Sequence, residues 1–525
     1  MYDQVRNKLP VRFADLGLQD VKNITEPLHV YRVLTQDVGS SDREEMTAKR
    51  RLWLSRFRSR RVFATAVAVS LVAVGAILGW RVYWPFTEPP AQPANIEMKS
   101  KPALPEKPSI AILAFENFSD DPSQEYFAHG IAEDIITELS KIAGLFVIAR
   151  TSSFSYKGKS ITTRQIGREL GVKYVLEGSV RKANGKVRIT AQLIDTETEG
   201  HVWAARYDRR YKDVFAIQDE LSEKIVAALA VKLTATEIKL RAARKAIDVR
   251  AYDTFLKGLA HLHKRTPEDT AKAVQYFKQA LEVDPASPRA HAAIAATYVV
   301  VRRYQWHRSL GLESEYGAET LAYEHLRTAM KVPSPLAYRV RAELRYLEGR
   351  YREALEDLDR ALAIDANDPD NHALLSKVYT AVGEAAKAIK PLRRAMRLNP
   401  IFPGRYFALL GIAEFALGKF ETSAMLLETA HELNPKNHIN LVHLVSAYGH
   451  LGRDREAREK LRIMNDLRAK AGVERYNVFI AEKAHYSNDC DIFRLVQGLR
   501  KAGVPEGPKS EPSIDGSKCG LLAPR

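Results

Sequence analysis

Apolar positions follow three different rhythms along the chain. From Val62 to Trp80 they are continuous: VFATAVAVSLVAVGAILGW runs 19 residues without a charge, the length a helix needs to cross bilayer hydrocarbon. From Ser109 to Leu233 short β-branched runs alternate with helical spacing. SIAILAF (Ser109–Phe115), FVIAR (Phe146–Arg150) and Tyr174–Arg181 read as strands, whereas Ile131, Ile135, Leu139 and Ile142 share one face of a helix over Phe127–Ile142. Thr163–Leu170 and Val214–Leu233 read as further helices. VRITAQLID and HVWAARYD alternate strictly on either side of Thr196–Gly200, which predicts a hairpin. The pattern over 109–233 therefore predicts an α/β domain with a mixed sheet.

From 250 to 468 the rhythm is helical and it repeats. Gly349, Gly383, Gly418 and Gly452 recur at intervals of 34, 35 and 34, each between two helical patterns. Asp365, Asn399-Pro400 and Asn434-Pro435 mark unit ends with the same period. Small residues (Ala354 and Ala361, Ala388 and Ala395, Ser423 and Ala430, then Ala457) fall where two helices must close. This spacing resembles the tetratricopeptide repeat, with Tyr379 and Tyr448 at its aromatic position and Leu358, Leu392, Leu427 and Leu461 at the apolar position of the second helix. An earlier unit ends at Asp284-Pro285, and residues 288–333 fit as a degenerate or lengthened unit. The resemblance implies an all-α superhelix whose concave groove binds a protein or peptide. The register turns Asp370, Lys377, Arg405 and Ser446 toward that groove, with an ordinary solvated role as the alternative for each.

The 109–233 stretch also resembles the TolB-like amino-terminal domain of multidomain bacterial cyclases. The matching blocks are Ser109-Ile110-Ala111-Ile112-Leu113, Glu125-Tyr126-Phe127, Gly130-Ile131-Ala132-Glu133-Asp134-Ile135, Leu176-Glu177-Gly178-Ser179-Val180-Arg181 and Asp213-Val214-Phe215-Ala216-Ile217-Gln218. They imply an accessory or sensing module. Residues 1–35, too few to bury a core, carry Leu16-Gly17, Lys22-Asn23, Pro27 and Val30-Tyr31-Arg32-Val33. That order is similar to the carboxy-terminal hairpin of class III adenylate cyclase domains. In that family the metal-binding aspartates, the purine-recognising residues and the transition-state Asn and Arg lie upstream of the hairpin, which here places them before Met1. The whole resembles the carboxy-terminal part of a bacterial multidomain class III adenylate cyclase without its catalytic core.

Charge sets the expected placement. The 525 residues carry +16, which in general raises nucleic acid as a partner. Lys49, Arg50, Arg51, Arg56, Arg58, Arg60 and Arg61, however, sit in a basic segment (36–61) directly before the apolar run. Cations on that flank predict a single-pass protein of the bacterial inner membrane, with 1–61 cytoplasmic and the later domains periplasmic or exterior. The bilayer is then a partner and nucleic acid is not. Residues 81–108, with Pro85, Pro89, Pro90, Pro93, Pro102, Pro105 and Pro108, read as a stiff linker.

Reactive chemistry is sparse. Gly158-Lys159-Ser160 lacks the leading glycine of a phosphate loop, since Ser153 stands in that position. Glu133 and Asp134 are adjacent on a helix and diverge, as solvated charges do. His443 and His450, two turns apart, read as structural rather than metal-binding. Cys490 and Cys519 either pair across 28 intervening residues or stay free. No catalytic, cofactor or metal residue is assigned, and 469–525 is read as a poorly defined tail. The expected fold is an α/β TolB-like domain, an all-α repeat superhelix and one transmembrane helix. The expected function is a non-enzymatic, membrane-anchored interaction or sensory module. Its rivals are the regulatory part of an adenylate cyclase whose catalytic domain is truncated or separately encoded, and a membrane-anchored transcription regulator.

Overall fold

The computed structural model describes residues 12–19, 28–34, 104–242, 248–402, 404–470, 474–482 and 486–508. An antiparallel pair, β1 (Arg12–Gln19) and β2 (Leu28–Leu34), forms a unit by itself, with a register shift between Asp15 and Leu18. The apolar run 62–80 and its basic flank lie outside the described residues. Among the described residues no helix is long and apolar enough to cross a membrane. Even the apolar helix Arg405–Ala416 has 12 residues and carries Arg405 and Glu414, about 18 Å of rise against about 30 Å of hydrocarbon. The placement as a single-pass inner-membrane protein with exported domains is corrected accordingly.

The α/β domain is built on a mixed sheet of β3 (Ser109–Ile112), β4 (Glu116–Asn117), β5 (Phe146–Val147), β6 (Tyr174–Ala183), β7 (Lys186–Asp195) and β8 (His201–Arg210). The order is β5-β3-β6-β7-β8, with β4 also paired to β6. β3, β4 and β5 run parallel to their neighbours and β6, β7 and β8 antiparallel. Alternation decides the faces. Ile110 and Ile112 join the side covered by α1 (Glu125–Ser140), while Ala111 joins the side covered by α3 (Thr163–Leu170). A short α2 (Arg150–Phe154) lies between these two helices in the chain, and α4 (Val214–Ala228) packs beside α1. A further helix, α5 (Ala235–Ala242), leads out of the domain.

Six helix pairs follow. They are α6 (Val249–Leu262) with α7 (Pro267–Val283), α8 (Pro288–Tyr304) with α9 (Glu315–Ala329), and α10 (Pro335–Leu347) with α11 (Tyr351–Ile364). Then come α12 (Pro369–Ala381) with α13 (Ala385–Leu398), α14 (Arg405–Ala416) with α15 (Phe420–Leu433), and α16 (Leu441–His450) with α17 (Asp454–Lys470). The periodic glycines are the turns inside the last four pairs, at φ values of 75°, 80°, 76° and 68°, a left-handed conformation that costs glycine little. The unit at 288–333 is lengthened, with a short turn of 3-10 helix (His307–Leu310) inserted between its helices. The alanines at the predicted contact positions, Ala354 through Ala457, are fully buried. Beyond residue 469, where the sequence predicts no element, stand α18 (Val478–Glu482) and α19 (Asp489–Lys501). Ile492, Leu495, Val496 and Leu499 bury one face of α19. Cys490 is not a free thiol, and Cys519 lies outside the described residues.

The α/β domain and the repeats share one boundary. Asp134 accepts from Tyr252 (2.6 Å) and Gln218 (3.1 Å) and pairs with Arg289. Glu133 pairs with His263 (3.0 Å) and Arg150 (2.9 Å). These two acids are therefore not the solvated charges of the sequence reading; their partners come from distant helices. Unit ends dock as well. Asn367 Nδ2 donates to the carbonyls of Ser140 and Leu145, both at 2.9 Å, and Ser140 Oγ donates to Asp365 at 2.7 Å. Ser152 Oγ donates to Asn399 at 2.6 Å, Ala149 N donates to Leu398 O at 2.8 Å, and Arg397 holds the carbonyls of Leu170 and Gly171 at 3.0 and 2.7 Å. Leu398, fully buried, completes the core under α3. Leu398→Ala should therefore cost about 2–5 kcal/mol, read from urea unfolding; a loss below about 1 kcal/mol would show that the boundary does not support the fold.

Candidate functional site

From α8 to α14 the first helices of successive pairs stand side by side, and their facing side chains form a chain of ion pairs. Arg303 on α8 holds Glu343 on α10 through Nε at 2.9 Å. Arg339 on α10 pairs with Asp368, just before α12, and stands 4.0 Å from Asp370. Asp370 in turn pairs with Arg405 on α14 and accepts from the Tyr406 hydroxyl at 3.3 Å. Burial opposes the charge on Asp370, but Arg405, Arg339, Arg265 and Arg303 outweigh it and hold the carboxyl well below the ordinary range. Lys377 lies over the Tyr346 ring, 4.0 Å from its centroid. Burial pushes its ammonium down to about 8; Glu343 resists, and Arg303 and Arg405 push the same way as burial.

Asp370 and Arg405 thus pair with each other, and Lys377 lies in the field of Glu343, Arg303 and Arg405. Ser446 does not join them. Its Oγ donates to Leu495 O at 2.8 Å, beneath α19. A Cβ on Gly449 would overlap the Gly498 carbonyl, and one on Gly498 would overlap Ser446, so α16 and α19 approach at backbone distance. The same segment reaches the ends of two neighbouring helices. Ser487 N donates to Ala381 O at 2.8 Å and Arg494 Nη1 donates to Ala416 O at 2.7 Å. The sequence missed Arg303, Arg339 and Glu343, although each sits where α8 and α10 place an inward residue of a first helix.

The histidine pair of α16 also serves this contact. His443 Nε2 lies 2.6 Å from the Tyr486 hydroxyl, and His450 Nε2 lies 2.8 Å from Arg494 O. Among the described residues no group of three or more His, Cys, Asp or Glu is placed to hold a metal ion.

Residues 106–225 match the model for the second domain of HilA/YgeH-like transcriptional regulators, and residues 259–287 and 345–411 match tetratricopeptide models. The helical array is built of tetratricopeptide repeats. A protein of Rhizobium meliloti (strain 1021) named "Putative adenylate cyclase 3" is 38% identical over 323 residues, covering 60% of this chain and 46% of that one. The chain thus spans under half the length of that relative. Solved structures of repeat proteins also match parts of the chain. A thermophilic tetratricopeptide protein of Thermus thermophilus is 20% identical over 38% of this chain and 98% of its own, with a TM-score of 0.30. Pseudomonas aeruginosa pilF is 21% identical over 42% of this chain and 94% of its own, with a TM-score of 0.32.

Protonation of His443 should loosen the α16–α19 contact. Burial pushes the ring from 6.5 down to about 4, so the folded chain favours its neutral form. That stability is complete above pH 6.5 and falls as pH drops from about 6.5 toward 4, by at most about 1.4 kcal/mol per pH unit. Urea midpoints at pH 7, 6 and 5 should fall more steeply for the native chain than for His443→Gln; equal slopes would remove His443 as the cause.

Proposed function

We propose that this chain is a non-catalytic binding protein whose repeat groove holds a protein or peptide partner, with the α/β domain as its fixed base. The carrying observation is the polar face shared by α8, α10, α12 and α14, set on repeats whose unit ends are tied to the α/β domain through Asn367, Asn399 and Arg397. A stacked superhelix offers such a face to extended ligands. The TolB-like blocks of 109–233 fit an accessory module, and Asp370, Lys377 and Arg405 are the groove residues of this reading.

A photo-reactive p-benzoylphenylalanine in place of Tyr304, 43% exposed at the end of α8, should cross-link a discrete partner in cells that produce the full chain. The same group at Arg360, 53% exposed on α11, should not. Identical patterns at both positions would end the groove reading.

The 38% identity to the Rhizobium meliloti relative favours a second reading, in which the binding unit regulates an adenylate cyclase. Cyclisation of ATP needs carboxylates that hold metal around the phosphates, and the resemblance transfers none to this chain. The purified chain with ATP and magnesium or manganese should form no cyclic AMP above a buffer control. Formation above the control would overturn the non-catalytic reading.

A further inference from the structure

The groove differs along its length. At the α16 end the chain's own segment Tyr486–Lys501 covers it, through the contacts to Ala381, Ala416, Ser446 and His450. Toward α8 the face holds Arg303, Arg339, Lys377 and Arg405 against Glu343, Asp368 and Asp370. The three acids are each engaged by a guanidinium, and Lys377 is left with the Tyr346 ring face. Arg405 Nε is buried without a hydrogen-bond partner, although the guanidinium itself is paired with Asp370. At the rim, exposed Tyr304 stacks on Trp306 with ring centroids 4.9 Å apart.

We infer that the open half of the groove, from α8 to α14, binds an extended acidic peptide, with one ligand carboxylate received between Lys377 and Arg405 and an apolar or aromatic side chain on the Tyr304–Trp306 pair. A ligand carboxylate supplies the negative charge that this cluster lacks. It also returns full charge to Lys377, whose ammonium burial and the nearby guanidinium groups disfavour. Repulsion by Asp370 and Glu343 is answered in place, since Arg405, Arg339 and Arg303 already neutralise them. The segment Tyr486–Lys501 bounds the site on the other side, so a ligand reads the second to fifth units rather than the whole array.

The inference rests on the groove reading above, and its test separates the two. Fluorescence anisotropy with the full chain would compare a labelled peptide of alternating Glu and Leu with the same peptide carrying Gln for Glu. The Glu peptide should bind, and should weaken as salt rises from about 50 to 300 mM. Lys377→Gln should weaken it about tenfold or more, Lys377→Arg should retain most of the affinity, and Arg360→Gln on α11 should change nothing. Circular dichroism of each variant confirms that the repeats remain folded. Equal binding of the Gln peptide, no binding of the Glu peptide, or an unaltered Lys377→Gln would overturn the acidic-ligand inference. In those cases cross-linking from position 304 would still report whether the groove binds a different partner.

Discussion

Asp134 brings a carboxylate into the boundary between the sheet domain and the first repeat helices, where it is 8% exposed. A charge in that position costs several kcal/mol unless it is paired and its lone pairs are filled. Arg289 supplies the charge, and Tyr252 and Gln218 supply the hydrogen bonds. These residues come from α8, α6 and α4, so satisfying one carboxylate fixes three helices against α1. The repeats beyond have no freedom to choose their direction. Each unit packs on its neighbours alone, and the orientation set at Asp134 passes from pair to pair until the corners at Asn367 and Asn399 return to the same domain. The array is thus anchored to the α/β domain at several points along its length.

That anchoring bears on the ion pairs between α8, α10, α12 and α14. An ion pair between helices needs a fixed separation, and flexing of an unanchored superhelix would open Arg303–Glu343 and Arg405–Asp370 to water, where such pairs contribute little. Here the geometry holds the charges in place beforehand. On the proposed reading a partner would meet an ordered set of donors and acceptors rather than mobile surface side chains, which would lower the entropy lost on binding.

What the sequence revealed follows from locality. The turn glycines and contact alanines answer constraints internal to one helix pair, so their period is visible without knowing the fold, and the pairs α10 to α17 fall in their register. Strand alternation is equally local, and it gave the hairpin of β7 and β8. The boundary is not local. Glu133 and Asp134 read as solvated because their partners His263 and Arg289 lie 130 and 155 residues away. Asp365 and Asn399 were legible as unit ends, but their second use, as docking groups for Ser140 and Ser152, depends on a domain more than 200 residues earlier. Ser446 shows the same limit, since its register points inward and only the packing of α19 reveals that the position is taken.

The covering of α16 by α19 rests on two glycines facing each other. Gly449 and Gly498 allow the helices to touch at the backbone, closer than side chains permit, and Ser446 and His450 use that proximity to reach the carbonyls of Leu495 and Arg494. A repeat array ends on a helix face that has no next unit, and something must keep that apolar surface from water. Because α19 lies across α16 rather than continuing the stack behind α17, the cover falls on the groove side, and Tyr486 and Ser487 carry it to the ends of α12. The first helices are thereby covered by the chain's own segment toward α16, while the ion pairs lie toward α8. This asymmetry comes from the packing of the last described helix, and on the proposed reading it decides which part of a regular array is free to meet a partner.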